Sequence, residues 1–194
     1  MNPGTTAENR VATLERPGPH GGAQVRPDMG SERAPRHPTP PADVSVVGAG
    51  SFGTAVAVCL AGHGGNVTLY CRSSAQAEHI RATGRNTAYF PHKALPVSLQ
   101  PTDDLGAALS ADIIFLAFPA RQIDWFVETA AASALRGKTV VNLVKGLHRT
   151  HLTFADLFAQ KLPQLNYVTL KGPTFAKPLL HGERSGFTCG AHDD

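Results

Sequence analysis

The sequence predicts an α/β fold: a doubly wound, mostly parallel sheet with helices on both faces, preceded by a disordered N-terminal tail. Three observations predict it. Residues 1–42 are dominated by Pro, Gly, Arg and small polar side chains, as in "ERPGPHGGAQVRP", and the composition changes sharply at Asp43. From there, short apolar runs alternate with helix-like stretches over residues 43–185. The first of those runs ends in a cluster of glycines that opens a helix.

The tail cannot bury enough apolar surface to offset the entropy of ordering it, so residues 1–42 are expected to be disordered. "VSVVGAG" (44–50) is a continuous apolar run, as expected of a strand buried on both faces. "GTAVAVCLAGHGG" then reads as a helix of small apolar residues closed by Gly62 and Gly64. "NVTLYC" (66–71) is β-branched and aromatic, a second strand, and "SAQAEHIRATG" (74–84) a helix ending at Gly84. A loop, "RNTAYFPHKALPVSLQ", leads to a short strand near residues 95–99. Thr102 is placed as N-cap of a short helix within 102–112. "DIIFLAF" (112–118) is the most apolar strand, stopped by Pro119. An amphipathic helix over 121–135 carries Ile123, Phe126, Val127 and Ala130 on one side. A strand at 138–146, a helix at 153–162 and a strand at 166–172 complete the pattern, with 186–194 left as a short C-terminal tail. Right-handed crossovers between parallel strands make the sheet doubly wound.

Composition limits the function classes. Hydrophobic residues make up 42% and charged residues 17%, values of a soluble globular protein. A net charge of +3 with scattered basic residues gives no nucleic-acid footprint. Cys59, Cys71 and Cys189 form no C-x-x-C pair, which fits a reducing compartment, and Cys59 reads as a small buried hydrophobe. His148 and His151 lack cysteine or carboxylate ligands in sequence, so no metal is expected there and both are read as exposed. No stretch reaches the roughly 18 apolar residues of a membrane span. The N-terminus has no secretory pattern, and the expected location is cytoplasmic.

The glycine cluster "GAGSFG" (48–53) has the G-x-G-x-x-G spacing, after a buried strand and at the start of a helix. In that context it is the fingerprint of a dinucleotide-binding Rossmann sheet. Gly48 permits the tight turn, Gly50 lets a pyrophosphate reach the backbone, and Gly53 lets the helix pack on the sheet. The free amides of Ser51 and Phe52 donate to the phosphates. An NAD-selective site places an acid about 20 residues further on. This sequence has Tyr70, Cys71, Arg72 and Ser73 there, so Arg72 is a candidate partner for a 2′-phosphate. The cofactor expected is NADP(H) or NAD(H). Ligands in such sheets lie beyond the carboxyl ends of the strands. There Pro119 shapes the path of a nicotinamide, Lys145 offers an ammonium beside Gly146, and Thr174 offers a hydroxyl donor after the Gly172–Pro173 turn.

"GAGSFGTA", "NTAYFP", "LP", "ADIIFLAFPA", "VNLVKGL" and "GPTFAK" occur in the order of NAD(P)-dependent sn-glycerol-3-phosphate dehydrogenases, and residues 43–185 resemble the N-terminal domain of their bacterial form. The resemblance implies hydride transfer between a nicotinamide and C2 of glycerol 3-phosphate or dihydroxyacetone phosphate. It implies cofactor contacts from Ser51, Phe52, Arg72 and Ala176, and contacts of Lys145 with both cofactor and substrate. Gly172 and Thr174 fall on the substrate, and Asn86, Tyr89 and Pro91 on a loop over the cofactor side. It also implies that the proton-acceptor lysine, and further residues that grip the phosphate, belong to a helical second domain, for which the chain has no length, so no catalytic residue is assigned. The partners expected are a phosphotriose and either self-association or a separate chain supplying that domain. The sequence departs from the family at Lys171, where a small residue is usual, and at Pro178, where an acid is usual. Lys171 is read as solvated, or as a substitute proton donor. Besides the enzyme, a nucleotide-binding module without turnover (a truncated product, a pseudoenzyme or half of a two-chain enzyme) fits the same residues.

Overall fold

The computed structural model describes residues 42–130, 132–150 and 153–191. The expected disordered tail, residues 1–42, lies outside them except for Ala42.

One seven-stranded sheet organises the chain, in the order β3-β2-β1-β4-β5-β6-β7. The strands are β1 Val44–Val47, β2 Val67–Tyr70, β3 Leu99–Thr102, β4 Ile113–Leu116, β5 Thr139–Asn142, β6 Asn166–Lys171 and β7 Thr188–Ala191. All pairings are parallel except β6 with β7. The helices are α1 Ser51–Ala61, α2 Ser74–Thr83, α3 Leu105–Leu109, α4 Ile123–Thr129, α5 Phe154–Lys161 and α6 Ala176–Leu180. The strand order reverses between β1 and β4, which puts a crevice at their carboxyl ends.

Successive strand residues point to opposite faces, and the core divides accordingly. Val47, Ile114, Leu116 and Val140 pack with Phe126 of α4 and Phe158 of α5 on one face. Val46, Leu69 and Val141 pack with Ala57 of α1, Ile80 of α2 and Leu179 of α6 on the other. Phe126 and Phe158 are fully buried, each contributing about 2–3 kcal/mol of transfer free energy. At α5, Thr153 and Asp156 form a reciprocal capping box, which fixes the start of that helix as its sequence suggests.

Several boundaries differ from the sequence expectation; the strand expected at 138–146, for one, ends at Asn142. The third strand is Leu99–Thr102 rather than 95–99, and Thr102 belongs to it. Asp104 instead caps α3, accepting from the Ala107 amide at 3.3 Å. Pro101 can sit in β3 because that strand is an edge. The helix expected over 121–135 is helical as α4 only to Thr129, and Ala130 turns extended at φ −73°, ψ 97°. Phe126 and Leu135 are both fully buried but nine positions apart, about two and a half turns, so one straight helix would point them to opposite sides. Breaking at Ala130 buries both. Finally, the sheet runs past residue 185: Thr188–Ala191 form β7 along β6, and α6 precedes it where the sequence offers no helical pattern.

Candidate functional site

The site grows from the turn after β1. Gly48 has φ +121°, and a Cβ there would stand 2.6 Å from the Ala117 carbonyl oxygen on the loop after β4. A Cβ on Gly53 would stand 1.9 Å from the Gly48 carbonyl oxygen, so only glycine lets α1 start this close to the turn. A Cβ on Gly50 would meet nothing within 4 Å; that position faces open space. The first bond of α1 runs from the Thr54 amide to the Gly50 carbonyl at 2.9 Å. The amides ahead of it have no intrahelical acceptor, no side chain caps them, and the first turn holds no acid. The result is a row of donors at the positive end of a helix, a cradle for an oxyanion.

Two side chains brace this turn. Asn86 is 1% exposed, and its Nδ2 donates to the Ala49 carbonyl at 3.0 Å and to Thr54 Oγ1 at 2.8 Å. Gln76 Nε2 donates to the same Ala49 carbonyl at 2.9 Å. Asn86 thus ties the "NTAYFP" loop to the glycine turn. Tyr89 lines the cleft, whereas Pro91 faces the surface, its carbonyl accepting from Arg85 at 3.4 Å. No local pattern marks Gln76 in advance, because its partner lies 27 residues away.

Beyond β2 the turn opens into a cleft of about 270 Å³ whose walls include Gly50, Arg72, Tyr89, Pro119, Arg121 and Trp125. Tyr70 and Trp125 stack at 6.4 Å, giving it an aromatic floor, and burial pushes the Tyr70 hydroxyl pKa up. Among the described residues no carboxylate lines this cleft, and two guanidinium groups do. Arg72 was visible in the sequence; Arg121 and Trp125 were not, since they read as parts of an amphipathic helix.

A second cavity, about 350 Å³, lies on the other side of Pro119, against Ser51, Phe52, Lys145, Thr174 and Ala176. Lys145 is exposed, with Nζ 5.8 Å from the Phe52 ring centre and 6.0 Å from that of Phe175. Thr174 is 4% exposed, and its hydroxyl donates to the Gly186 carbonyl at 3.1 Å. The donor expected for a ligand is therefore committed within the chain, leaving the oxygen as an acceptor. Gly172 is held just as closely: a Cβ there would lie 2.1 Å from the Gly186 carbonyl oxygen.

Lys171 is not solvated as the sequence suggested. It is half-buried, and its Nζ donates to the carbonyls of Asn142, at 3.2 Å, and Val144. Burial, and then the charge of Lys145, push its pKa down to about 8. His148 also departs from expectation. It is 8% exposed, with Nε2 2.7 Å from Asp124 Oδ1 and Nδ1 2.6 Å from Thr150 Oγ1. That hydrogen bond, joined by the Arg149 charge, holds the Asp124 carboxyl below its ordinary pKa. His151 lies outside the described residues. Cys59, expected to be buried, is only partly so.

The structure thus gathers Gly48, Gly50, Arg72 and Pro119 around one cleft, and Ser51, Phe52, Lys145, Thr174 and Ala176 around its neighbour. Gly53 lies beneath the turn rather than in either wall. No described helix is long and apolar enough to cross a membrane.

Residues 43–194 match the sequence model of a family described as NAD-dependent glycerol-3-phosphate dehydrogenase N-terminus. Among curated relatives, a glycerol-3-phosphate dehydrogenase (NAD(P)+) of Parvibaculum lavamentivorans is 32% identical over 152 residues, 78% of this chain and 46% of the relative. Its counterpart from a Ruegeria species is 36% identical over 152 residues, 78% of this chain and 47% of the relative. The chain therefore spans about half the length of the curated relatives it matches. The fold is shared with the crystal structure of glycerol-3-phosphate dehydrogenase from Coxiella burnetii, at TM-score 0.73 and 24% identity, covering 78% of this chain and 47% of that one. The yeast enzyme from Saccharomyces cerevisiae gives TM-score 0.70 at 20% identity, covering 79% and 48%.

Proposed function

This chain belongs to the family of glycerol-3-phosphate dehydrogenase N-terminal domains, and on that premise we propose that residues 43–194 hold NADP(H) or NAD(H) for hydride transfer at C2 of glycerol 3-phosphate or dihydroxyacetone phosphate. One observation carries the proposal: the start of α1, whose first amides lack intrahelical acceptors, places Ser51 and Phe52 in the same cavity as Lys145, beside a Gly50 whose Cβ direction is empty. The glycine turn fits a pyrophosphate, because it offers donors and positive potential without a competing acid. Arg72 suits a 2′-phosphate, which a carboxylate in its place would repel. Pro119, with Ala117 and Phe118, lines both cavities and so suits a wall that a nicotinamide and a substrate would share. When bound, the nicotinamide supplies or accepts the hydride. Lys145, free of carboxylate partners among the cavity residues, orients the ketone oxygen and stabilises the negative charge that grows on it. Gly172 and Thr174 shape the substrate side. The proton acceptor comes from outside residues 43–194, from a further part of the fold or a partner chain, and the reaction belongs in the cytoplasm.

The test is reduction of dihydroxyacetone phosphate by the purified chain, alongside fluorescence titration of NADPH and NADH. With the proton acceptor supplied by a longer form or a partner chain, Lys145→Ala is expected to lower turnover by ~10²-fold or more, and to weaken nucleotide binding less than that, since the amides of α1 and Arg72 remain. Normal reduction by that variant would remove the assignment of Lys145. Nucleotide binding without turnover would leave the chain a binding module.

A further inference from the structure

Where β5 and β6 end side by side, two lysines share one cavity. Lys145 and Lys171 both line about 340 Å³ of space together with Phe52, Gly146, Gly172 and Phe187. Among the described residues no carboxylate lines it. Lys171 Nζ is held by the carbonyls of Asn142 and Val144, the latter immediately before Lys145. An ammonium carries three donors, so one remains after those two bonds. Two like charges beside apolar rings are costly when no counter-charge is present, and an anion between them relieves both the repulsion and the desolvation.

We propose that Lys145 and Lys171 together form a binding site for a dianionic group of the phosphate class. The inference goes beyond the reading above, in which Lys145 orients the ketone oxygen and the helical domain grips the substrate phosphate: this is a further anion site beside that oxygen. Lys171, the family-atypical lysine, is thereby an anion-contacting residue.

The lowered pKa of Lys171, about 8, is what such a site shows before its anion arrives: burial and then Lys145 disfavour the charge. Among the described residues, the other titratable groups near Lys171 are Lys145 on the loop after β5, Tyr167 on β6, and Cys189 on β7 opposite Leu170. Tyr167 is raised by burial and stays neutral through this range. Binding needs charged Lys171, so affinity falls as pH rises through about 8, and a bound dianion pulls that pKa up.

Sulfate is the probe, because it stays dianionic throughout. Calorimetric titration of the full chain at about pH 7 and about pH 9 is expected to show ~10-fold weaker sulfate binding at the higher pH. Glycerol 3-phosphate should show the same step, and glycerol should not bind. Lys171→Met should weaken both anions ~10-fold at the lower pH and abolish the step. Lys171→Arg keeps the charge, so it should retain binding at both pH values. Cys189→Ser should leave the step in place. Unchanged sulfate affinity in Lys171→Met, or a step that survives in Lys171→Arg, overturns the proposal. NADPH titrated in parallel separates the two readings. Sulfate binding that responds to Lys171 without any NADPH binding sinks the cofactor reading alone. NADPH binding with sulfate indifferent to Lys171 sinks the anion site alone.

Discussion

At the carboxyl end of β1 the backbone leaves its polar groups open, whereas at the end of β6 it uses them on itself. The amides that begin α1 have no intrahelical acceptor, and Gly50 looks into empty space. Across the crevice, the Thr174 hydroxyl is bound to the Gly186 carbonyl and Gly172 is pressed against the same group. Both regions carry glycine-rich family motifs, but the first presents backbone amides to a ligand where the second presents lysine ammonium groups. The second supplies shape, and its charge comes from Lys145 and Lys171. A motif residue's role is thus decided by where its partner sits.

The comparison can be broken most forcefully at Gly53. Gly53→Ala would drive a Cβ into the Gly48 carbonyl, with a loss of about 3 kcal/mol in urea unfolding and no nucleotide binding. Gly50→Ala is its counterpart. The backbone there, φ −76°, ψ −175°, suits alanine and nothing opposes the Cβ. Stability should change by less than about 0.5 kcal/mol while NADPH affinity drops, and equal effects at both glycines would erase the distinction drawn between them. Gly172→Ala should cost about 2 kcal/mol and raise hydrogen exchange along Thr188–Ala191, because Gly186 must move away. A variant with β7 still protected would show that this contact is not what holds the strand.

Asn86→Ala comes next. It leaves the Ala49 carbonyl to Gln76 alone, at a cost of about 1–3 kcal/mol with weaker NADPH binding. The smallest effect concerns Asp124. Its carboxyl pKa is depressed by the hydrogen bond from His148, so the stability it adds is present above the unfolded carboxyl pKa and lost as pH falls through the folded one. Asp124→Asn should flatten the acid side of the Tm–pH curve slightly, and an unaltered acid limb would show the pair to be energetically silent.

Much of the fold was legible because strands buried on both faces read as apolar runs, as in "VSVV" and "IIFL". β3 was harder to place. Its four residues, "LQPT", include a proline and only one buried apolar side chain. β7 gave no signal because all four of its residues are exposed. The break in α4 answers to burial of two side chains at once, which local alanine propensity opposes. In the site, the glycine turn, Arg72 and Lys145 could be read from position within a strand–helix pattern. Gln76, Arg121, Trp125 and buried His148 could not, since each acquires its role from a partner or wall remote in sequence.

The backbone amide spectrum of the chain during NADPH titration tests the central claim most directly. The account predicts saturable shifts at Ser51, Phe52 and Gly53, with Arg72 following, and small changes at Thr174 and Gly186. Amides at the start of α1 that stay unmoved through the titration would contradict it.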